Sequence, residues 1–412
     1  MSKINELIKK LCPNGVEYKK VWQITTWDKK YNSVDKAMQP KTIKYNYLLA
    51  NQLNEIIVDN GDVLILETGI NHIKKYTNEN LAGENLCNGE IIAIPWGGTP
   101  NVKYYNGKFV TGDNRIAVSN DINVLNTKFL YYIFENKMNE IADFYRGSGI
   151  KHPEMKKVLN LDIPIPPIKV QKEIVQILDK FGELEAELEA ELEARKSQYE
   201  FWHEKLFDFD ENVKELSLEE LCNIVDYRGK TPKKVESGIF LVTAKNIKMG
   251  YIDYEYSKEY IAESDFDDVM RRGKVNIGDV LFTTEAPCGH VAQVDKDNIA
   301  LAQRVIKYSS KDLSQLSNKY LKYALLSNQF QNKLLEISTG ATVKGIKGSK
   351  LHKMTVPVPT MEKQNQIVNI LERFDKLIND ISVGLPAEIE LRRKQYEYYR
   401  NKLLSFEEYA NE

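Results

Sequence analysis

Apolar positions along the chain follow two rhythms. Over residues 171–181 they fall at Ile174, Val175, Ile177, Leu178 and Phe181, steps that place them on one face of a helix. The same rhythm returns over residues 364–374, at Ile367, Val368, Ile370, Leu371 and Phe374. In front of each stands a run of alternating apolar residues and prolines, IPIPP and VPVP. Proline has no N–H for a strand ladder and does not fit a helix interior, so each run predicts an edge strand ending where a helix begins. The second rhythm is short apolar runs bounded by Gly and Asn. GDVLIL, GEIIAIP and GKFVTGDNRIAVS in the first half, and GIFLVTA, GDVLFTT and ALAQRVIKYS in the second, predict strands. Helical stretches interleave with them, TKFLYYIFENKMNEIADFY and SNKYLKYALLSNQFQNKLLEIS.

The two halves are copies. Gln171, Ile174, Val175, Ile177, Leu178 and Phe181 repeat as Gln364, Ile367, Val368, Ile370, Leu371 and Phe374, an offset of 193. Downstream, QYEFWHEKLFDF matches QYEYYRNKLLSF at offset 197. Upstream, Gly147 and Lys151 pair with Gly340 and Lys344 at 193, and Lys128, Leu130 and Tyr132 with Lys319, Leu321 and Tyr323 at 191. Gly89 and Arg115 pair more weakly with Gly278 and Arg304 at 189. A period near 190 is a duplicated domain, too long for a solenoid unit. The expected fold is therefore mixed α/β with an internal pseudo-two-fold repeat. Its parts are an N-terminal segment (1–15) packing with the helical region, two similar globular blocks (16–166 and 213–360), and a long helix after each (167–212 and 361–412).

A helix from Ile168 to Phe207 would be roughly 60 Å long, which calls for a partner along its length. It contains ELEA three times. Each four-residue unit advances about 400°, so Leu184, Leu188 and Leu192 stay near one seam. Together with Ile174, Ile177, Leu178 and Phe181, and with Ile367, Ile370, Leu371 and Phe374 of the copy, they form the face expected to pair helix with helix, most simply antiparallel. The second helix carries ISVGLPAE, whose Gly384 and Pro386 should kink or break it near 383–387.

Charge refines this picture. The net charge of −2 hides an uneven distribution. Residues 167–212 hold 6 basic and 13 acidic side chains, 6 − 13 = −7, whereas 213–360 hold 22 and 18, 22 − 18 = +4. A solvated helix face accounts for the acidic run. The four cysteines form no C-x-x-C pair, which argues against a disulfide framework and a structural zinc site. No run of eighteen apolar residues and no signal-like start appear, so the expected location is cytoplasmic.

The doubled proline-strand and Q…I(V)xIL(D/E)xF signature, the terminal QYE…KLxxF and the start ELIKKLCPNGVEYKKV resemble DNA specificity subunits of type I restriction-modification systems. The resemblance spans essentially the full length. It implies a non-catalytic subunit whose two target recognition domains each read one half of a bipartite duplex site. The two helices would form an antiparallel coiled coil that sets the gap and docks the modification subunits. Partners would be double-stranded DNA, two modification (methyltransferase) subunits and ATP-dependent restriction subunits. No cofactor is expected on this chain. The competing reading is a coiled-coil interaction scaffold with two binding modules and no DNA specificity.

DNA affinity comes mainly from Lys and Arg at phosphates, and specificity from Arg, Lys, Asn or Gln at base edges. Candidates in the first block are Trp96, Asn101, Lys103, Tyr104 and Lys108, then Asn114 with Arg115, then Arg146, Lys151 and His152. In the second they are Arg228, Lys230, Lys233, Lys234, Lys245, Asn246, Gln303, Arg304, Lys344, Lys347 and Lys350. Arg115 and Arg304 rank first because they recur at matching places, although a shared structural ion pair would leave the same trace. Enzyme signatures are lacking. GATVKGIKGS has no Gly-Lys-Ser/Thr step, the only Pro-Pro sits in a helix lead-in, and the five histidines show no ligand spacing.

Overall fold

A computed structural model describes residues 2–70, 74–227, 232–340, 344–379 and 383–408. The chain divides into two compact units, one formed by Met1–Glu187 with Ile389–Glu412 and the other by Leu188–Glu388. The division falls inside the central helix, Ile168–Leu206, which runs for 39 residues. Among the described residues no helix is long and apolar enough to cross a membrane.

In the first unit the strands are β1 (Glu17–Lys20), β2 (Thr25–Trp27), β3 (Val63–Leu66), β4 (Tyr76–Thr77), β5 (Cys87–Pro95), β6 (Lys103–Thr111), β7 (Asn114–Ser119), β8 (Tyr145–Arg146), β9 (His152–Pro153) and β10 (Asp162–Ile165). Six of them make one sheet in the order β2-β7-β5-β6-β3-β4, with only the β3–β6 pair parallel. Alternation along β5 explains its near-continuous apolar run. Ile92 and Ile94 face a core shared with Phe129, Leu130 and Ile133 of the Thr127–Asn136 helix and with Ile174 and Leu178 of the central helix. Ile91 and Ala93 face the opposite cluster with Phe109 and Ile116. The IPIP run is β10, paired antiparallel, among the described residues, with β1 alone. N-terminal Ile4, Cys12 and Val16 join the same core as Leu403 and Leu404.

The second unit repeats the plan with β11 (Glu215–Ser217), β12 (Cys222–Asp226), β13 (Lys234–Val235), β14 (Ile239–Val242), β15 (Tyr260–Ile261), β16 (Val280–Thr284), β17 (Cys288–Gln293), β18 (Ile299–Leu301), β19 (Val305–Ser310) and β20 (Thr355–Pro357). β16 lies between β19 and β17 as β5 lies between β7 and β6, which accounts for the Gly89/Gly278 and Arg115/Arg304 correspondence. The single long β6 is matched by two strands. β17 pairs with β16, and β18 runs parallel to β14 as the end of β6 does to β3. The result is two four-stranded sheets in place of one of six. The VPVP run enters β20, paired with β11.

The repeated glutamine has a structural job in each copy. Gln171 is fully buried; its Oε1 accepts the Asn126 N–H at 2.8 Å, and its Nε2 donates to the carbonyls of Val124 and Pro166. Gln364 does the same with Ser317 N–H, Gln315 O and Pro359 O. Each glutamine thus ties the start of a block helix to the start of a long helix. A second shared tie is Lys128 to Asp179 and Lys319 to Glu372, both at 2.7 Å.

The face expected to pair helix with helix is divided. Ile174, Leu178, Ile367 and Leu371 are fully buried in the cores of their blocks, because the Thr127–Asn136 and Asn318–Leu326 helices pack on that face. Ile177 packs at the edge of that core, Ile370 is 36% and Leu184 45% exposed, and Leu188 and Leu192 are half-buried. Ring contacts bring helix to helix. Phe181 meets Tyr396 at 6.4 Å and Tyr399 at 5.5 Å, and one turn later Glu185 holds Arg393, so those two segments run antiparallel. In the second unit Phe374 meets Tyr199 at 6.1 Å, the repeat-equivalent pair. After the penultimate helix (Met361–Asn379), the last helix starts at Leu385, with Pro386 in its first turn where no intrahelical N–H is needed.

His203 of the central helix sits among Tyr199, Phe207 and Tyr323, and burial pushes it down to about 4. Its unfolded value is about 6.5, so between these pH values the unfolded chain holds one more proton and stability falls as pH drops from ~6.5 towards ~4. We expect roughly 3 kcal/mol of this unit's stability to disappear across that window. Urea unfolding at stepped pH checks this: His203→Leu should flatten that part of the curve, and an unchanged slope would count against the assignment.

Candidate nucleic-acid interface

The β5–β6 connection (residues 96–102) is the centre of a basic surface in the first unit. It is short in apolar side chains and rich in Gly and Pro, so backbone approaches its neighbours closely. On one side, Trp96 is held in an aromatic group. Tyr31 stacks at 6.4 Å and 14°, His152 lies at 5.3 Å, and the Arg115 guanidinium covers the indole at 4.8 Å. Here a cleft of about 670 Å³ is lined by Lys29, Lys30, Arg146 and Lys156 as well as the aromatic residues. On the other side a cleft of about 460 Å³ is lined by Lys74, Lys75, Lys103 and Lys128 with Tyr104 and Asn101.

Arg115 is not the surface contact expected of it. Its side chain is 2% exposed, with Nη1 donating to Asp28 at 3.0 Å and Nη2 to Asp113. Asp28 in turn accepts the Ile116 N–H at 3.1 Å, and burial holds its carboxyl above the usual range against the pull of Arg115. The residue therefore fixes Trp96 and the sheet end. Arg304 occupies the equivalent place but is exposed, at φ +70°, and pairs with Glu285 at 3.4 Å. Glu285 is the repeat equivalent of Trp96. The two arginines share a position and differ in chemistry.

The other candidates separate by burial. Asn114 is buried and donates to the Leu66 carbonyl at 2.9 Å; Asn246 is fully buried, with Thr243, Asp253 and Ser257 satisfying its side chain. Both close turns that sequence cannot distinguish from reading loops, and both are corrected from contact to scaffold. Lys103 donates to Thr68 O at 3.0 Å and to Asn101 Oδ1, and burial pushes it down to about 8. Asn101 also donates to the carbonyls of Thr68 and Thr99. Tyr104 is tied to Glu90 and lies under Lys128. Lys108 faces Glu79 and Asp62, away from both clefts. Arg146 and Lys151 are exposed; Arg146 meets Glu154 at 3.1 Å, and the Lys151 carbonyl accepts the Gly98 N–H at 3.0 Å. His152 bonds the Trp96 carbonyl at 2.7 Å.

In the second unit Arg228 and Lys230 lie outside the described residues. Lys233, Lys234, Lys245, Lys344, Lys347 and Lys350 are exposed, Lys234 pairing with Glu259 at 2.7 Å, and Gln303 is half-buried beside Arg304. Lys344 lines a cleft of about 350 Å³ with Cys288 and Leu335, next to the β16–β17 turn. This is where Lys151 stands relative to β5–β6: Gly345, next to Lys344, bridges to Glu285 as His152, next to Lys151, bonds Trp96. Lys29, Lys30, Lys74 and Lys156 were not among the sequence candidates. The adjacent basic and aromatic residues of WDKKYN were the available signal for the first two. Among the described residues no group of His, Cys, Asp or Glu could hold a metal.

Comparison with known proteins adds an independent line. A family model described as the type I restriction modification DNA specificity domain matches twice, over residues 13–194 and 210–391. The chain is 30% identical over 356 residues to a putative type I restriction enzyme specificity subunit of Haemophilus influenzae, covering 82% of this chain and 87% of that one. It is 30% identical over 375 residues to a type I restriction enzyme specificity subunit of Escherichia coli, covering 84% and 88%. Its fold is similar to the crystal structure of a type I restriction-modification S subunit from M. genitalium, with TM-score 0.59, 16% identity and coverage of 95% and 96%.

Proposed function

The chain belongs to the type I restriction-modification DNA specificity family, and from that premise we propose that each of its two blocks reads one half of a bipartite duplex site. It is a non-catalytic DNA sequence-recognition subunit of a type I restriction-modification complex. In this reading residues 16–166 and 213–360 are the target recognition domains. The long helices of 167–212 and 361–412 form an antiparallel coiled coil that spaces them and docks modification subunits, with 1–15 packed on the helical region. The single observation that carries it is the exchange of helix ends. Each compact unit contains the start of one long helix and the end of the other, sealed by Phe181 with Tyr396 in one and Phe374 with Tyr199 in the other. In this reading the helices hold the two readers at the separation that half-sites one or more turns apart require, ~34 to 36 Å per turn.

The partners in this reading are double-stranded DNA, two modification subunits carrying the S-adenosylmethionine chemistry, and ATP-dependent restriction subunits. Co-expression with the modification subunit, followed by base-resolved methylation mapping, should return one bipartite motif. A complex that forms without motif-specific methylation would favour the scaffold reading. The basic cleft makes a further prediction. Replacing Lys29, Lys30 and Lys156 together with Gln should weaken duplex binding by the complex at least tenfold at moderate salt. It should also shallow the slope of log K against log salt by about 0.9 for each phosphate no longer neutralised, with the methylated motif unchanged. An unaltered slope would remove this cleft from the interface.

A further inference from the structure

Resting on that reading of the first block as a DNA reader, we propose that the hairpin joining β8 to β9 is a wedge. Its tip residue Ile150 enters the duplex between base pairs and unstacks one step of the half-site.

Ile150 is 70% exposed, the highest value of any large apolar side chain among the described residues. A lone exposed isoleucine needs no explanation by itself. This one, however, stands at the end of a projecting element of fixed geometry. Tyr145 and Arg146 pair with Pro153 and His152, and Gly147 at φ +139° turns the chain where an added Cβ would meet the Ile150 carbonyl oxygen at 2.7 Å. The hairpin is bolted to the β5–β6 connection by the Gly98-to-Lys151 bond and by His152 on the Trp96 carbonyl. Gly97 lets the isoleucine lie on that connection, since a Cβ there would come within 2.8 Å of Ile150 Cγ2. The side chain is thus braced from behind and bare in front.

Its flanks are cationic. Arg146 and Lys151 of the hairpin are exposed, and Lys29, Lys30 and Lys156 line the adjoining cleft against a single carboxylate there, Glu154. An aliphatic tip between phosphate-binding side chains is the chemistry of a residue inserted at a base step, where unstacking is offset by wider contact with the bent duplex. The sequence repeats the arrangement: GSGIK at 147–151 corresponds to GATVK at 340–344, an aliphatic residue before lysine in both copies. Val343 itself lies outside the described residues.

The test uses the full chain assembled with its modification subunits on a duplex carrying its mapped motif, with 2-aminopurine replacing in turn each adenine in and beside both half-sites except the methylated ones, which the modification subunits would themselves extrude. The wild-type complex should brighten the probe several-fold at one step. Ile150→Ala should abolish that signal and weaken binding about tenfold, by loss of buried apolar surface, while leaving the salt slope unchanged. Ile150→Met should keep the signal. Lys151→Gln should keep it too, and shallow the slope by about 0.9. Motif-specific binding without any brightened position, or brightening that persists in Ile150→Ala, overturns the wedge while leaving the recognition role intact. Failure of the wild-type complex to bind its motif sinks both.

Discussion

Deleting one ELEA unit from the central helix, residues 187–190, is expected to move the methylated motif: the two half-sites stay the same and the gap between them shrinks by one or two base pairs. The sequence removed is solvated for most of its surface, with Glu187, Glu189 and Ala190 exposed and only Leu188 half-buried, so little core is disturbed. Four residues shorten a helix by about 6 Å and rotate its C-terminal part by only about 40°, since 3.6 residues make a turn. The contacts sealing each compact unit, Phe181 with Tyr396 and Tyr199 with Phe374, lie on either side of the deletion and can form as before. The expected change is therefore mainly one of distance, close to two base-pair rises, with a rotation of only about 40°. Inserting a fourth unit should lengthen the gap by the same amount. Methylation mapping of both variants that returned the original gap would mean the helix does not set the spacing.

The duplication, the long central helix, the start of the last helix just after Gly384, and the edge strands formed by IPIP and VPVP were legible because each rests on a local rule. Helical periodicity and the missing proline N–H are properties of neighbours in sequence. What sequence reading could not supply was burial. Gln171 and Gln364 stood out as shared residues, but their three-way bonding to backbone needs the fold. Asn114 and Asn246 have the composition of reading loops and serve as internal staples. The apolar face of the central helix looked like a single pairing seam because periodicity reports that a face is covered and not by what. Ile174 and Leu178 are covered by the block, while Phe181 is covered by the last helix. Lys29 and Lys30 enter the cleft only because β2 lies beside β7, nearly ninety residues later in the chain.

Arg115 shows the difference most sharply, and its removal should have the largest effect on stability. Arg115→Ala would leave the Asp28 carboxylate, 7% exposed, without its cationic partner. Breaking a buried pair from one side costs about 3 to 5 kcal/mol, well above the loss for an exposed contact. The sign of the pH dependence comes from Asp28. Burial already holds its carboxyl above the unfolded value with the arginine present, and losing the guanidinium raises it further. A carboxyl raised in the folded state binds more protons there than when unfolded, so the variant loses stability as pH rises through that window and recovers part of it in acid. Urea unfolding followed by tryptophan fluorescence should show a smaller deficit at pH 5 than at pH 8. Arg115→Lys should rescue little, since a lysine cannot bridge Asp28 and Asp113 while lying flat on Trp96. Adding Asp28→Asn to Arg115→Ala should restore much of the stability yet leave duplex binding weak, because Trp96 would still lack the group that fixes it. Were Arg115 a direct DNA contact instead, Arg115→Ala would unfold at the wild-type urea concentration and fail only in binding.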